Sequence, residues 1–349
     1  MYRKIPYTDS EKRVLGTHPC QFGELEFRDT PVTSRANFDA MFDERHPYWM
    51  PSCRDLVPVQ PALYNNTLGR GRREDITDVF GIRWRFIPAA GGSIVEPGAP
   101  LLKNANDWRE VIHIPDIDSW DWEGALREIP IDMRFSAIFS AINGFWFERL
   151  ISFMDFRPAA MALIDDEQTD AVKEIFAAMT ELACLIVDKL CTYAPGLDLI
   201  EVHDDWGAQK APFFSMDVAY ELFVPFMKQL TDHIHGWGRR TLLHSCGHNA
   251  DRIQCYIDGG FDLWAPQTMN DIKGLYDEYG DKILLCVFPE ETDLADRSEE
   301  AQREAARAFV DRFCQPGKPS LLSMAAHMRG TPAFLDEVYE YSRKKYLAE

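Results

Sequence analysis

The 349-residue sequence predicts an α/β fold, a TIM (β/α)8 barrel with N-terminal insertions. Two observations carry that expectation. From about residue 195 short apolar runs alternate with longer amphipathic segments, the pattern of parallel βα units. Polar residues follow these runs directly, as they do at the C-terminal rim where barrels of this kind carry their sites. The length equals two average domains, yet such barrels commonly run this long as one. With no linker, repeat or low-complexity tract, residues 1–349 read as a single domain, elaborated over about residues 1–130.

Taken in chain order, Thr33-Ser34 opens an amphipathic helix (RANFDAMFDE), and Tyr48 to Pro51 and Arg134 to Ser140 read as strands. Between them, Asp75 to Pro97 and the Trp-rich Trp108 to Trp122 read as a hairpin and loops over one barrel face, and Gln168 to Tyr193 as a long helix. Five strands then follow, at Leu197 to His203, Arg240 to His244, Phe261 to Pro266, Lys282 to Phe288 and Ser320 to Ala325. The helices among them start at Ser215, Asn249, Ser298 and Thr331, residue types that cap helix N-termini.

Composition narrows the function classes. A formal charge of -19 repels phosphate backbones and anionic lipid heads, which disfavours nucleic acid and membrane partners. No apolar stretch reaches the roughly 18 residues of a membrane span, and the opening MYRKIPYTDSEKR has no leader-like core. Eight scattered cysteines point to a reducing cytoplasm rather than a disulfide framework. On that basis the acceptor triplet at Asn65 is expected to carry no glycan.

The sharpest chemical signal is Leu242-Leu243-His244-Ser245-Cys246-Gly247. On an extended chain residues i and i+2 share a face, so imidazole and thiol can reach one zinc ion. The competing reading is a core histidine and a buried thiol. A second cluster, His203-Asp204-Asp205-Trp206-Gly207-Ala208-Gln209, places two carboxylates and an indole after a buried strand. They can orient a ligand or move a proton, or serve as solvated loop acids and a helix cap. His248 reads as a helix-start residue, and Arg70-Gly71-Arg72-Arg73 as a solvated loop or a site for an anion.

The HSCG after its LLH strand, with IEVHDDWGAQKAPFF and FFSMDVAYELFVPFMKQLTDHIHGWGRR before it, resembles the uroporphyrinogen decarboxylase-like superfamily. DVFGIRW, GFWFERLISFMDF and the tail GTPAFLDEVYEYSR extend the likeness over most of residues 75 to 349. Within that superfamily it is closest to the corrinoid-dependent methyltransferases that demethylate methoxylated aromatics. The resemblance implies zinc on His244 and Cys246, with a third ligand from a later strand. It also implies substrate contact by His203, Trp206 and Gln209 and catalytic roles for Asp204 and Asp205. Many relatives place a cysteine at the end of the last strand, where this chain reads Ser323-Met324-Ala325-Ala326-His327. Glu290 is the preferred third ligand, with Cys286 and His327 as alternatives.

The expected reaction is transfer of a methyl group from a small methoxylated donor to the cobalt of a corrinoid carried by a partner protein, with a zinc-bound thiol as the alternative acceptor used by other members of the superfamily. A porphyrinogen decarboxylase is the competing reading, but its arginine-containing motif corresponds here to HPYWMPSCR, with one arginine. A barrel kept only for binding is the other. The assembly state, a homodimer among the options, is left open.

Overall fold

The alternation of strand and helix is present in the three-dimensional structure, a computed structural model that describes residues 3–20, 23–70, 74–90, 92–141, 143–323 and 330–349. Along the chain come strands Leu56–Pro58, Ser136–Ala141, Leu197–His203, Arg240–His244, Leu263–Ala265, Leu284–Val287 and Leu321–Leu322, with helices between them. Among the described residues these number seven rather than eight, and the architecture they establish is mixed α/β with parallel pairing. No described helix is long and apolar enough to cross a membrane.

The chain groups into two compact units, each assembled from separate stretches. One comprises Met1–Pro58, Ile131–Ile138 and Asp262–Glu349, the other Val59–Pro130 and Phe139–Phe261.

In the first unit Leu263–Ala265, Leu284–Val287 and Leu321–Leu322 pair in parallel, and Leu56–Pro58 pairs in parallel with Ser136, Ala137 and Ile138. An isolated parallel bridge from Ser52 to Leu322 joins the two sets. The antiparallel hairpin of Val14–Cys20 with Gly23–Arg28 and the helices Ser34–Asp43, Glu299–Phe313 and Pro332–Ala348 complete the unit. Thr33 caps its helix by accepting from Ala36 N at 3.2 Å, as Ser298 and Thr331 do from Ala301 N and Phe334 N. Tyr48 to Pro51, expected as a strand, is irregular. Its backbone is committed elsewhere: the Asn37 carboxamide accepts from Tyr48 N at 2.6 Å and donates to Trp49 O, and Met50 N donates to Ser342 Oγ. With those groups taken, no ladder forms until Leu56.

The second unit contains the parallel pair Leu197–His203 and Arg240–His244, in register from Leu199 with Arg240 to His203 with His244. Its N-terminal portion holds a three-stranded antiparallel sheet of Ile76–Thr77, Arg83–Ile87 and Gly92–Val95, where a hairpin was expected. The long helix Thr169–Tyr193 buries Phe176, Met179, Leu182, Ile186 and Leu190 on one stripe, the spacing of an amphipathic helix. The helix read from Met216 onward is broken. It runs over Met216–Leu222 and resumes at Val224–Gly236, because Pro225 has no N–H to continue the first segment.

DVFGIRW proves structural. Asp78 is buried and accepts from Phe80 N, Ile82 N and Trp84 Nε1 at 2.9–3.0 Å and from Arg149 Nη1 at 3.1 Å. This buried pair fixes the helix Phe147–Met154, whose first turn faces the site.

Candidate metal centre

The register of the two parallel strands dictates the site. His203 and His244 are paired residues at the strand ends, with ring centroids 4.9 Å apart. Two residues beyond, Cys246 returns to the same face, and His244 Nε2 lies 3.3 Å from Cys246 Sγ. Asp205, two residues beyond His203, completes the group: ligand atoms of Asp205, His244 and Cys246 lie within 4.8 Å of one another. Bonds of 2.0 to 2.3 Å around a tetrahedral ion put neighbouring donors roughly 3.3–3.8 Å apart, so these donors suit a zinc ion.

The turn that holds them depends on close backbone approach. Gly247 has φ +101°, and a Cβ there would lie 2.2 Å from the Gly207 carbonyl carbon. Cys246 N donates to Asp205 Oδ1 at 2.7 Å, which orients that carboxylate. Asn249, expected as a helix cap, makes no capping bond and instead donates to Ser245 Oγ and Cys246 O. It pins the turn from behind.

The adjacent acids differ sharply. Asp204 is 0% exposed and accepts from Phe147 N, Glu148 N and Trp206 Nε1 at 3.2, 3.0 and 2.7 Å, so it caps the helix Phe147–Met154. Burial pushes its carboxyl up to about 7 against those donors. Gly144 permits this packing, since a Cβ there would meet His203 O at 2.4 Å. Trp206, expected against substrate, is 0% exposed, with its indole among Phe214, Phe223 and Tyr256. Its contact is with Asp204 and the core. Gln209 is exposed in the loop beyond.

Glu290 belongs to the first unit, 57% exposed and paired with Arg312 at 3.0 Å. Among the described residues, Asp205 is the possible donor grouped with His244 and Cys246. Cys286 is buried in the strand Leu284–Val287 of the first unit, and His327 lies outside the described residues.

Around the three donors the field is acidic. Glu201, two residues before His203 on the strand, receives the Ser140 hydroxyl hydrogen bond and lies 3.4 Å from His203 Nε2. Burial alone would raise Glu201, but His203, Ser140 and His244 hold it down at about 2. Burial would likewise lower His203, and Glu201, Glu148 and Asp205 outweigh it and raise it. Glu148 is pushed up to about 8 by burial and by the charge of Asp205; Arg70 offsets this from 3.4 Å. Among the described residues, the buried Oε2 of Glu148 has no hydrogen-bond partner. Burial first, then Asp205, pushes the Cys246 thiol well above its ordinary value. A divalent cation relieves this crowding of negative charge.

Sequence reading missed Glu201 and Glu148. Both carried a signal, an acid within a largely apolar segment: Glu201 at i−2 from His203 in LDLIEVH, and Glu148 in GFWFERLISF. Arg70 was noted only as part of a basic run whose Gly71, Arg72 and Arg73 lie outside the described residues.

No known family profile matches the sequence, and no curated protein matches it either. Solved structures are similar in fold. A methyltransferase from Methanosarcina mazei aligns over 90% of this chain and 99% of its own at 14% identity, with a TM-score of 0.58. A xylose isomerase-like TIM barrel protein from Mycobacterium smegmatis covers 86% of this chain and 96% of its own at 12% identity; its TM-score of 0.30 is too low to bear on the fold. At 14% identity the likeness to the methyltransferase is one of fold.

Proposed function

We propose that this chain is a zinc-dependent methyltransferase that moves a methyl group from a methoxylated aromatic compound to the cobalt of a corrinoid on a separate protein. The observation that carries the proposal is the convergence of Asp205, His244 and Cys246 within 4.8 Å, a mixed carboxylate, imidazole and thiol set suited to zinc. The fold shared with a methyltransferase at a TM-score of 0.58 and the motifs around HSCG support the same reading. The (β/α)8 barrel is part of it, and the Ser52 to Leu322 bridge between early and late strands favours closure.

Asp205, His244 and Cys246 would hold a zinc ion through three protein donors, the number found at catalytic rather than structural zinc. Zinc there supplies a Lewis acid for an ether oxygen on which negative charge develops as its methyl group departs. The chain's own residues do the rest. Asp204 anchors the helix that presents Glu148, Glu201 orients His203, and Asn249 fixes the turn bearing Cys246. An inert ether surrenders methyl only to a strong nucleophile, which is why a reduced corrinoid is the proposed acceptor.

The test is metal analysis of purified protein with a methyl-transfer assay on a panel of methoxyaromatics. About one zinc per chain and phenol release only with reduced corrinoid protein is the expected result. Phenol release at full rate without corrinoid, or a chain that binds no zinc, would overturn it.

A further inference from the structure

The first unit contains a cavity of about 190 Å³ that has no part in the metal centre. Its walls are mainly apolar: Phe27, Trp49, Phe135, Leu322, Leu335 and Val338. Into this lining come two guanidinium groups, Arg28 and Arg54. Both lean on one carboxylate, with Asp336 Oδ1 at 2.5 Å from Arg28 Nη2 and 3.5 Å from Arg54 Nη1. Among the described residues, the Nε atoms of Arg28 and Arg54 are buried and have no hydrogen-bond partner.

A buried charged donor left unpaired is costly, so two of them in one cavity call for an acceptor. The other charged groups of the lining are largely committed. Asp29 takes Arg13 at 2.7 Å, Arg134 takes Asp132 at 2.6 Å, and Asp55 accepts from Ser34 Oγ, Trp49 Nε1 and Ser52 N; Glu26 is the remaining acid. Arg28 and Arg54 thus share a single ion-pair partner, Asp336.

We propose that this cavity is a binding site for a small monocarboxylate with an apolar body, its carboxylate beside the guanidinium groups of Arg28 and Arg54 and its body against Phe27, Phe135 and Leu335. Planar guanidinium groups match carboxylates in geometry and charge. A cavity of roughly 150 Å³ holds benzene, so one ring with its carboxylate fits here. Apolar walls with a few convergent polar groups are the general build of small-molecule sites.

Calorimetric titration of the full chain with benzoate, and with benzamide as its neutral isostere, tests this. Benzoate should bind saturably, and benzamide at least about tenfold more weakly, a difference of about 1.4 kcal/mol. Arg54→Met should lose tenfold or more in benzoate affinity. Val32→Phe, which adds bulk to the cavity lining and keeps both arginines, should abolish binding while thermal melting shows the fold intact. Cys246→Ser, in the other unit, should bind benzoate as the wild type does. No saturable binding by the wild type, or equal affinity for benzoate and benzamide, would overturn the proposal. So would binding lost in Cys246→Ser and kept in Arg54→Met and Val32→Phe.

Discussion

At the scale of single residues, neighbouring acids of one type take unlike roles because their surroundings differ. Asp205 keeps an oxygen directed at His244 and Cys246, whereas Asp204 spends both on backbone and indole donors. Asp205→Asn and Cys246→Ser should each lose most bound zinc, read by metal analysis. Glu290→Gln should keep its zinc, and losing an exposed pair with Arg312 should shift stability by no more than about 1 kcal/mol. Zinc lost from the Glu290 variant and kept by the Asp205 variant would reverse this assignment. Asp55 offers a pH test. Burial raises its carboxyl from 3.8 to about 6, against hydrogen bonds from Ser34, Ser52 and Trp49. A carboxyl raised in the fold binds its proton more tightly folded than unfolded, so its contribution is greatest below about 3.8 and falls as pH climbs through about 6. Asp55→Asn should cost about 1–3 kcal/mol through its donors. Its deficit relative to wild type should narrow between pH 4 and pH 7.5 in urea unfolding; a widening deficit would contradict the sign.

At the scale of elements, the turn after Arg240–His244 is held by fit between two backbones. Gly247 and Gly81 both have positive φ, +101° and +85°, but they differ in their surroundings: a Cβ on Gly81 meets nothing within 4 Å, while one on Gly247 strikes Gly207. Gly81→Ala should therefore cost only the conformational strain, about 1–2 kcal/mol. Gly247→Ala must also displace the turn carrying Cys246, so it should lose more stability and bind zinc more weakly. Equal melting shifts for the two variants would mean that the approach to Gly207 is not tight. The same scale explains two misread segments. A side-chain amide, Asn37, took the hydrogen bonds that a strand at Tyr48 to Pro51 needed, and Pro225 divided a helix whose apolar spacing runs on without interruption.

At the scale of the molecule, segments far apart in sequence are tied by buried charge. Within the first unit Arg343, 0% exposed, pairs with Glu11 at 3.2 Å and donates to Ile5 O, and Tyr339 adds a hydrogen bond to Glu11 at 2.7 Å. Removing one partner strands the other charge in the interior, so Arg343→Met should destabilise by about 3–5 kcal/mol, measured as a lowered urea midpoint. A variant within about 1 kcal/mol of wild type would show that water or a rearranged neighbour supports Glu11 instead.

Periodicity and local chemistry were enough to read the α/β class, the parallel strands after residue 195, the caps at Ser215, Ser298 and Thr331, and the adjacency of His244 and Cys246. Each of these depends on residues within a few positions of one another, where backbone geometry alone decides which face a side chain takes. The grouping of Asp205 with His244 and Cys246, Asp204 as a helix cap, Trp206 in the core and the ion pair of Glu290 with Arg312 are visible only in the tertiary structure. The register of Leu197–His203 against Arg240–His244 brings residues 41 apart in sequence to hydrogen-bonding distance. Sequence spacing carries no record of that register, because it is set by how two strands pack their apolar faces and not by either strand alone.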